Sequence, residues 1–452
     1  MPQPTIIPTL AAARHPRLRY VLKEVSRDLG YQFQLITDQD KWLAHESPFK
    51  LRYGLEERRD VACPAIPTSP ILKGKGVSEV ELAVEFRRDG YPTFFNSPAQ
   101  PEGTSQLPFD ALACIFFCLG RYEEYSPFQP DDHGRFPATQ SHAAANDYLH
   151  LPVVRYWCRR IAELLQGAYP TLPPPKSHPN YFQPTYDIDL LWAYHHRGWK
   201  GLASGVRDSV TGKWDRARLR FSVSESEDSY NLLTRLLALH PRQRPNKRTL
   251  PYVFWLLANN DLRQDVNPYP IPDEQVEAIR TTSDVAQHGI HPGYGTLDNL
   301  ELLREETQRL GQITGCAPRH GRQHFLRFRL PDTYRNLLLA GIANDHSMGY
   351  ADQPGWRAGT NLPYKWYDLE REAATGLTIH PFAAMDVTLK NYENIGPAEA
   401  RDQILELRAA VAKYGGPFTL LWHNSSYAPE HGWAGWGEMY EELVQGLHDL
   451  DE

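Results

Sequence analysis

Beyond residue 181 the chain alternates short apolar runs with stretches of helical pattern, and nothing else in it restricts the fold as much. PYVFWLLA (Pro251–Ala258) and TLLWHN (Thr419–Asn424) have the length and composition of buried strands. SYNLLTRLLALH (Ser229–His240) and DNLELLREETQRLG (Asp298–Gly311, with Asp298 in the N-cap position) carry apolar residues at helical spacing. Strands that alternate with helices are covered on both faces, so the expected fold class is α/β, with a parallel sheet or a (β/α) barrel. In either form the reactive side chains gather at the C-terminal ends of the strands.

The stretch PTLPPPKSHPN (Pro170–Asn180) interrupts the chain. Pro170, Pro173, Pro174 and Pro175 forbid regular structure there, so residues 170–180 read as a linker between an N-terminal part, 1–169, and a C-terminal part, 181–452. Twelve of the 18 histidines lie beyond residue 181, which places the chemistry in the C-terminal part. The N-terminal part reads as a smaller α/β unit. Leu18–Leu29 has a helical apolar stripe, Tyr31–Thr37 alternates like a strand, and Phe109–Tyr125 is a helix capped by Asp110. DDHGRFP (Asp131–Pro137) has the composition of a solvated turn.

Composition excludes several classes of function. A net charge of −7 offers no basic footprint for nucleic acid. No apolar run reaches 18 residues, so no membrane span is expected, and the first twenty residues lack the charged-then-apolar order of a secretory leader. Five scattered cysteines argue against a disulfide framework. A cytoplasmic location is the expectation from these features.

Four polar spots fall at strand ends or in adjoining loops: Asp187 and Asp189 in TYDIDLLW, His288 and His291 in AQHGIHPGYGT, Arg322 and His324 in RHGRQHFLRF, and His423 in LLWHNSS. Side chains two apart on a strand share a face, and two carboxylates so placed need a cation or a shared proton. A carboxylate and imidazoles for a metal, with a separate acid and base, form the set that a metallohydrolase uses. There is no Walker loop, no G-x-G-x-x-G after a strand, no G-x-S-x-G elbow and no H-E-x-x-H.

TYDIDLLW, GIHPGY, GRQHFLRF, GWRAGT, MDVTL and LLWHN, in that order, resemble the motifs of the polysaccharide deacetylase superfamily, of the carbohydrate esterase family 4 type. The resemblance covers about Tyr181 to the C-terminus. RYEEY and HGRFP are similar to the N-terminal extension of one branch. It implies a distorted (β/α) barrel of the polysaccharide deacetylase type, preceded by the smaller α/β domain, with a divalent metal, usually zinc. It also implies roles: Asp187 as general base, Asp189 and His291 as metal ligands, Arg322 as the arginine that orients the base, and His423 as general acid. The second motif normally ends in a further histidine, and here that position is Gly295. A third ligand must then come from elsewhere or be absent; His324 is the first candidate and His288 the alternative. Arg357 in GWRAGT, Asp386 in MDVTL and Trp356 are expected in substrate contact or just behind it; Trp366, Tyr350 and Tyr364 are further aromatic candidates, and for all four aromatics core packing is the alternative. The activity so implied is hydrolysis of acetyl groups from an N-acetylated sugar or glycan precursor, with a small-molecule or oligosaccharide substrate. The rivals are hydrolysis of another non-peptide C–N bond, such as a cyclic amide, and a metal-free protein that only binds glycan.

Overall fold

The structure, a computed structural model, describes residues 5–54, 63–80, 82–97, 105–196, 210–211, 214–240, 250–259 and 261–450. It is a mixed α/β protein with two mainly parallel sheets. The first is formed by β1 (Ile6–Ala11), β2 (Gln32–Ile36), β3 (Leu51–Tyr53) and β4 (Ala65–Ile66), in the order β2-β1-β3-β4. The helix Pro16–Leu29 covers it with the stripe that the sequence marks, burying Leu18, Leu22, Val25 and Leu29. Pro16 opens that helix and Gly30, in the left-handed region at φ 76°, ends it. A short antiparallel pair, β5 (Glu85–Phe86) and β6 (Pro92–Thr93), follows.

The remaining strands are β7 (Asn180–Ile188), β8 (Tyr252–Leu256), β9 (Gln287–His291), β10 (His320–Gly321), β11 (Asn344–Asp345), β12 (Tyr364–Asp368), β13 (Ala373–Ile379), β14 (Ala384–Met385) and β15 (Gly416–His423). They form one sheet in the order β12-β13-β11-β10-β9-β8-β7-β15-β14. All its pairs are parallel except β12–β13. Among the described residues no ladder joins β14 to β12, so the sheet is an open row and not a hydrogen-bonded closed barrel.

Local expectations meet the structure with four differences. The Phe109–Tyr125 helix, capped by Asp110 as expected, runs only over Ala111–Leu119, and Tyr122–Tyr125 forms a separate 3-10 turn. Asn299, not Asp298, caps the Leu300–Thr314 helix, its side chain accepting from the Leu302 amide. The Ser229–His240 helix is shortened to Leu233–Ala238. FLRF, which has strand composition, instead contains a turn of 3-10 helix at His324–Leu326. Phe325 (φ 60°) and Leu326 (φ 53°) both take left-handed backbone there, which costs roughly 1–2 kcal/mol for each residue with a Cβ.

One apolar core runs through both sheets, from Ile7 to Leu447. Polar groups stitch the same interface. The Tyr20 hydroxyl donates to the Lys365 carbonyl at 2.7 Å. Arg357, buried, donates through Nε and Nη2 to the two oxygens of buried Glu124, at 2.9 and 2.7 Å. Arg121 donates through Nε to Glu124 Oε1 at 2.7 Å and through Nη2 to the Tyr350 hydroxyl at 3.0 Å. Burial alone would raise the Glu124 carboxyl, but Arg357 and Arg121 hold it below its ordinary value. Arg357, expected in substrate contact or just behind it, is instead paired with Glu124 in the packing between the N- and C-terminal parts, and Trp356, Trp366, Tyr350 and Tyr364 are buried in the core. No helix among the described residues is long and apolar enough to cross a membrane. Glu124→Ala leaves Arg357 buried without a carboxylate and Arg121 with Glu123 alone, and we expect it to lower unfolding free energy by about 3–5 kcal/mol in urea titrations. A loss within ~1 kcal/mol would show that the pair is not holding the two parts together.

Candidate metal centre and its proton-handling neighbours

The parallel register gathers the site at one end of the second sheet. Asp187 on β7 lies opposite His423 on β15, and Leu256 on β8 lies opposite His291 on β9. Asp189 follows β7 and shares a face with Asp187, as alternation requires. His324 arrives from the turn after β10, its amide donating to the Pro292 carbonyl at 3.3 Å.

Asp189, His291 and His324 each direct one ligand atom to a common region, and these atoms lie within 4.8 Å of one another. His291 Nε2 is 3.3 Å from Asp189 Oδ1, and His324 Nε2 is 3.8 Å from Asp189 Oδ2. The other ring nitrogens set the tautomers. His291 Nδ1 is 2.6 Å from the Arg322 carbonyl, which can only accept, so Nδ1 carries the proton and Nε2 keeps its lone pair. His324 Nδ1 is 3.1 Å from Asp265 Oδ1 and donates to that carboxylate in the same way. Asp189 Oδ1 is shielded from water and accepts no hydrogen bond. Lone pairs on two imidazoles and a carboxylate therefore converge, and only a proton or a cation relieves them. The donors present, two nitrogens and one oxygen, suit a divalent ion such as zinc and would leave a coordination position open.

Two further groups flank this cluster. Asp187 receives Arg322 Nη1 on Oδ1 at 2.8 Å and turns Oδ2 towards His291 Nε2 at 3.6 Å. His423 turns Nε2 towards Asp189 Oδ2 at 4.0 Å, while its Nδ1 meets Asp386 Oδ1 at 2.8 Å. Burial would lower the His423 pKa, but Asp386 above all, with help from Asp189 and Asp187, pushes it up to about 10. Burial likewise opposes charge on His324, whose pKa Asp189 and Asp265 nevertheless push up to about 9. Asp189 is held well below the usual carboxylate range by His324, His291 and His423, against the effect of its burial.

The structure thus brings together Asp187, Asp189, His291, Arg322, His324 and His423, and leaves His288 outside. His288 is three residues from His291 on the same strand, an odd separation that sends it to the opposite face. There it accepts a hydrogen bond from Trp255 Nε1 at 3.0 Å, and burial lowers its pKa to about 4. A Cβ at Gly295 would meet Leu262 and Leu302 at 3.2 and 3.3 Å, so a side chain there would start towards leucines. Asp386 is spent on positioning and is fully buried: besides His423 Nδ1 it accepts the amides of Val387 and His423, both at 2.7 Å, and the Ser426 hydroxyl at 2.5 Å. Asp265 carries no signal in the sequence. It sits in an irregular loop with no motif around it, and only the fold shows it beneath His324.

Residues 7–170 match the model of a family of unknown function, DUF7033. No curated protein matches the chain. Two solved structures are similar at low identity. One, from Mycobacterium smegmatis, is described as a polysaccharide deacetylase; it is 13% identical with a TM-score of 0.37, over 61% of this chain and 86% of its own. The other is Agd3, described as a novel carbohydrate deacetylase; it is 9% identical with a TM-score of 0.36, over 98% of this chain and 83% of its own. Likenesses of that size carry no inference about chemistry, which has to come from this chain's own residues.

His423 gives the site a pH signature. Its folded pKa of about 10 exceeds the ~6.5 of an unfolded histidine, so the imidazolium contributes stability that is fully present below pH ~6.5 and lost as pH rises towards 10. In chelator-treated protein, Asp386→Asn should bring the His423 NMR titration down towards the ordinary histidine range. It should also remove part of the decline in urea midpoint above pH 7. An unmoved titration would mean that another group sets the charge on His423.

Proposed function

We propose that this chain is a metal-dependent hydrolase that removes acetyl groups from N-acetylated sugars or a glycan precursor, working at the C-terminal ends of the parallel strands of its second sheet. One observation carries the reading: two imidazole Nε2 atoms and a carboxylate converge between a carboxylate held by an arginine and an imidazole held by an aspartate. Asp189, His291 and His324 would hold the ion, which we take to be zinc. A divalent cation supplies Lewis-acid chemistry at such a site, acidifying water and polarising a carbonyl.

The chain's own groups handle the protons. Arg322 fixes the Oδ1 side of Asp187, leaving Oδ2 on the cluster side to take the proton of the attacking water. The His423 imidazolium keeps its Nδ1 proton on Asp386 and offers its Nε2 proton to the nitrogen that leaves as the C–N bond breaks. Its high pKa keeps that proton in place at neutral pH until the nitrogen becomes basic. Asp265 holds His324, and the Arg322 carbonyl holds His291, in the ligating tautomer. The sequence resemblance of TYDIDLLW, GRQHFLRF and LLWHN supports the choice of an N-acetylated sugar over another C–N substrate.

Zinc titration of metal-free protein, followed by elemental analysis, is expected to give one equivalent. Asp189→Ala, His291→Ala and His324→Ala should each lose it. Asp187→Asn and His423→Gln should keep the metal while kcat/KM on an N-acetylated chito-oligosaccharide falls ~10²–10⁴-fold. Metal binding with turnover of a cyclic amide and none of the sugar would favour the other hydrolase. Failure to bind any divalent ion would favour a protein that only binds glycan.

A further inference from the structure

The loop Asp131–Pro137, which the sequence marks as a solvated turn, is docked on the turn that carries His324. Asp131 shapes the loop: its Oδ1 accepts the amides of His133 and Arg135, each at 2.9 Å, and its Oδ2 accepts Arg135 Nε at 2.7 Å. So braced, Arg135 is buried and reaches across to donate Nη1 to the Phe325 carbonyl at 2.8 Å and Nη2 to the Tyr392 hydroxyl at 2.9 Å. Arg327 answers in the other direction. Its Nε donates to the His133 carbonyl and its Nη1 to the Tyr294 carbonyl, both at 2.8 Å. The His133 ring lies 4.7 Å from that of Phe325 and 5.8 Å from that of Tyr294, whose hydroxyl is 3.2 Å from His133 Nδ1.

These contacts fall on the backbone that has most need of them. Phe325 and Leu326 are two consecutive residues with positive φ, and His324 immediately precedes them. Within the turn only the Leu326 amide to the Gln323 carbonyl, at 2.8 Å, and the Arg327 amide to the His324 carbonyl, at 3.2 Å, close it. Left-handed backbone at two residues with side chains persists only where surrounding structure imposes it. The restraint on the Phe325 carbonyl comes from Arg135, 190 residues away in sequence.

We propose that the 131–135 loop is a working part of the metal centre. Arg135 is its positioning residue, holding the strained turn so that His324 presents Nε2 to Asp189. The inference rests on the metal reading above and gives the N-terminal part a purpose, because that part then completes a site whose ligands all lie in the C-terminal part. Arg135 touches neither ligand nor substrate; it acts through the Phe325 carbonyl.

The test measures zinc affinity of the full chain by competition with a chromophoric chelator, the visible spectrum of the cobalt(II)-substituted protein, and amide hydrogen exchange over 323–328. Arg135→Ala should weaken zinc binding ~10–100-fold, the usual effect of removing a group that orients a ligand. It should also alter the cobalt bands and speed exchange at 324–328. Arg135→Lys, which keeps one donor for the Phe325 carbonyl, should recover part of each. Wild-type affinity and an unchanged cobalt spectrum in Arg135→Ala would overturn the proposal. Should that variant not fold, the wild type decides: coupling is reciprocal, so zinc must slow exchange over 131–135 as well as over 323–328, and zinc that protects only the latter overturns it. Should the wild type bind no divalent ion, the metal reading is what fails. Exchange at 324–328 in Arg135→Ala, faster or unchanged, then judges the clamp on its own.

Discussion

Asp189, His291 and His324 point their lone pairs at one another, with Asp189 Oδ1 shielded from water. His291 and His324 have no freedom to turn away, because each has its Nδ1 proton committed, one to the Arg322 carbonyl and the other to Asp265. Repulsion fixed in this way is stable only with positive charge at the centre. Without an ion, that charge is a proton on His324, whose pKa Asp189 and Asp265 push up to about 9 against the effect of burial. The surrounding architecture serves to maintain the opposition: the parallel register sets His423 opposite Asp187, β9 ends at His291 with β8 in between, and Arg322 and Asp386 fix Asp187 and His423 respectively.

Much of this was legible in the sequence because strands have a period of two. Asp187 and Asp189 fall on one face of β7 by that rule alone, and the same rule separates His288 from His291 once the strand is known to continue through both. His423 was legible as the last residue of an apolar run. What was hidden depends on partners distant in the chain. Asp265 lies 59 residues from the histidine it orients, in a loop without a signature. Arg357 looked free to meet a substrate because nothing near it in sequence says that Glu124, 233 residues earlier, would claim it. FLRF has strand composition, yet its backbone is set by contacts from outside the segment, and tertiary context overrides local preference.

The fold was readable at the level of class and less so at the level of closure. Alternating apolar and amphipathic stretches specify a parallel sheet covered by helices. Whether such a sheet closes depends on how its edge strands meet, and β10, β11 and β14, each two residues long, have too little pattern to announce themselves. The antiparallel β12–β13 pair then ends the row on one side.

The buried trio Arg121, Glu124 and Arg357 bears on how this protein can change over time. Glu124 serves two guanidinium groups, one from each side of the proline-rich stretch, and its loss strands Arg357 and leaves Arg121 with Glu123 alone. A chain in which either half was exchanged for an unrelated one would bring charge into an apolar junction with no counterpart to receive it. The halves therefore share a constraint: a substitution at one of these three positions is best tolerated when the others change with it.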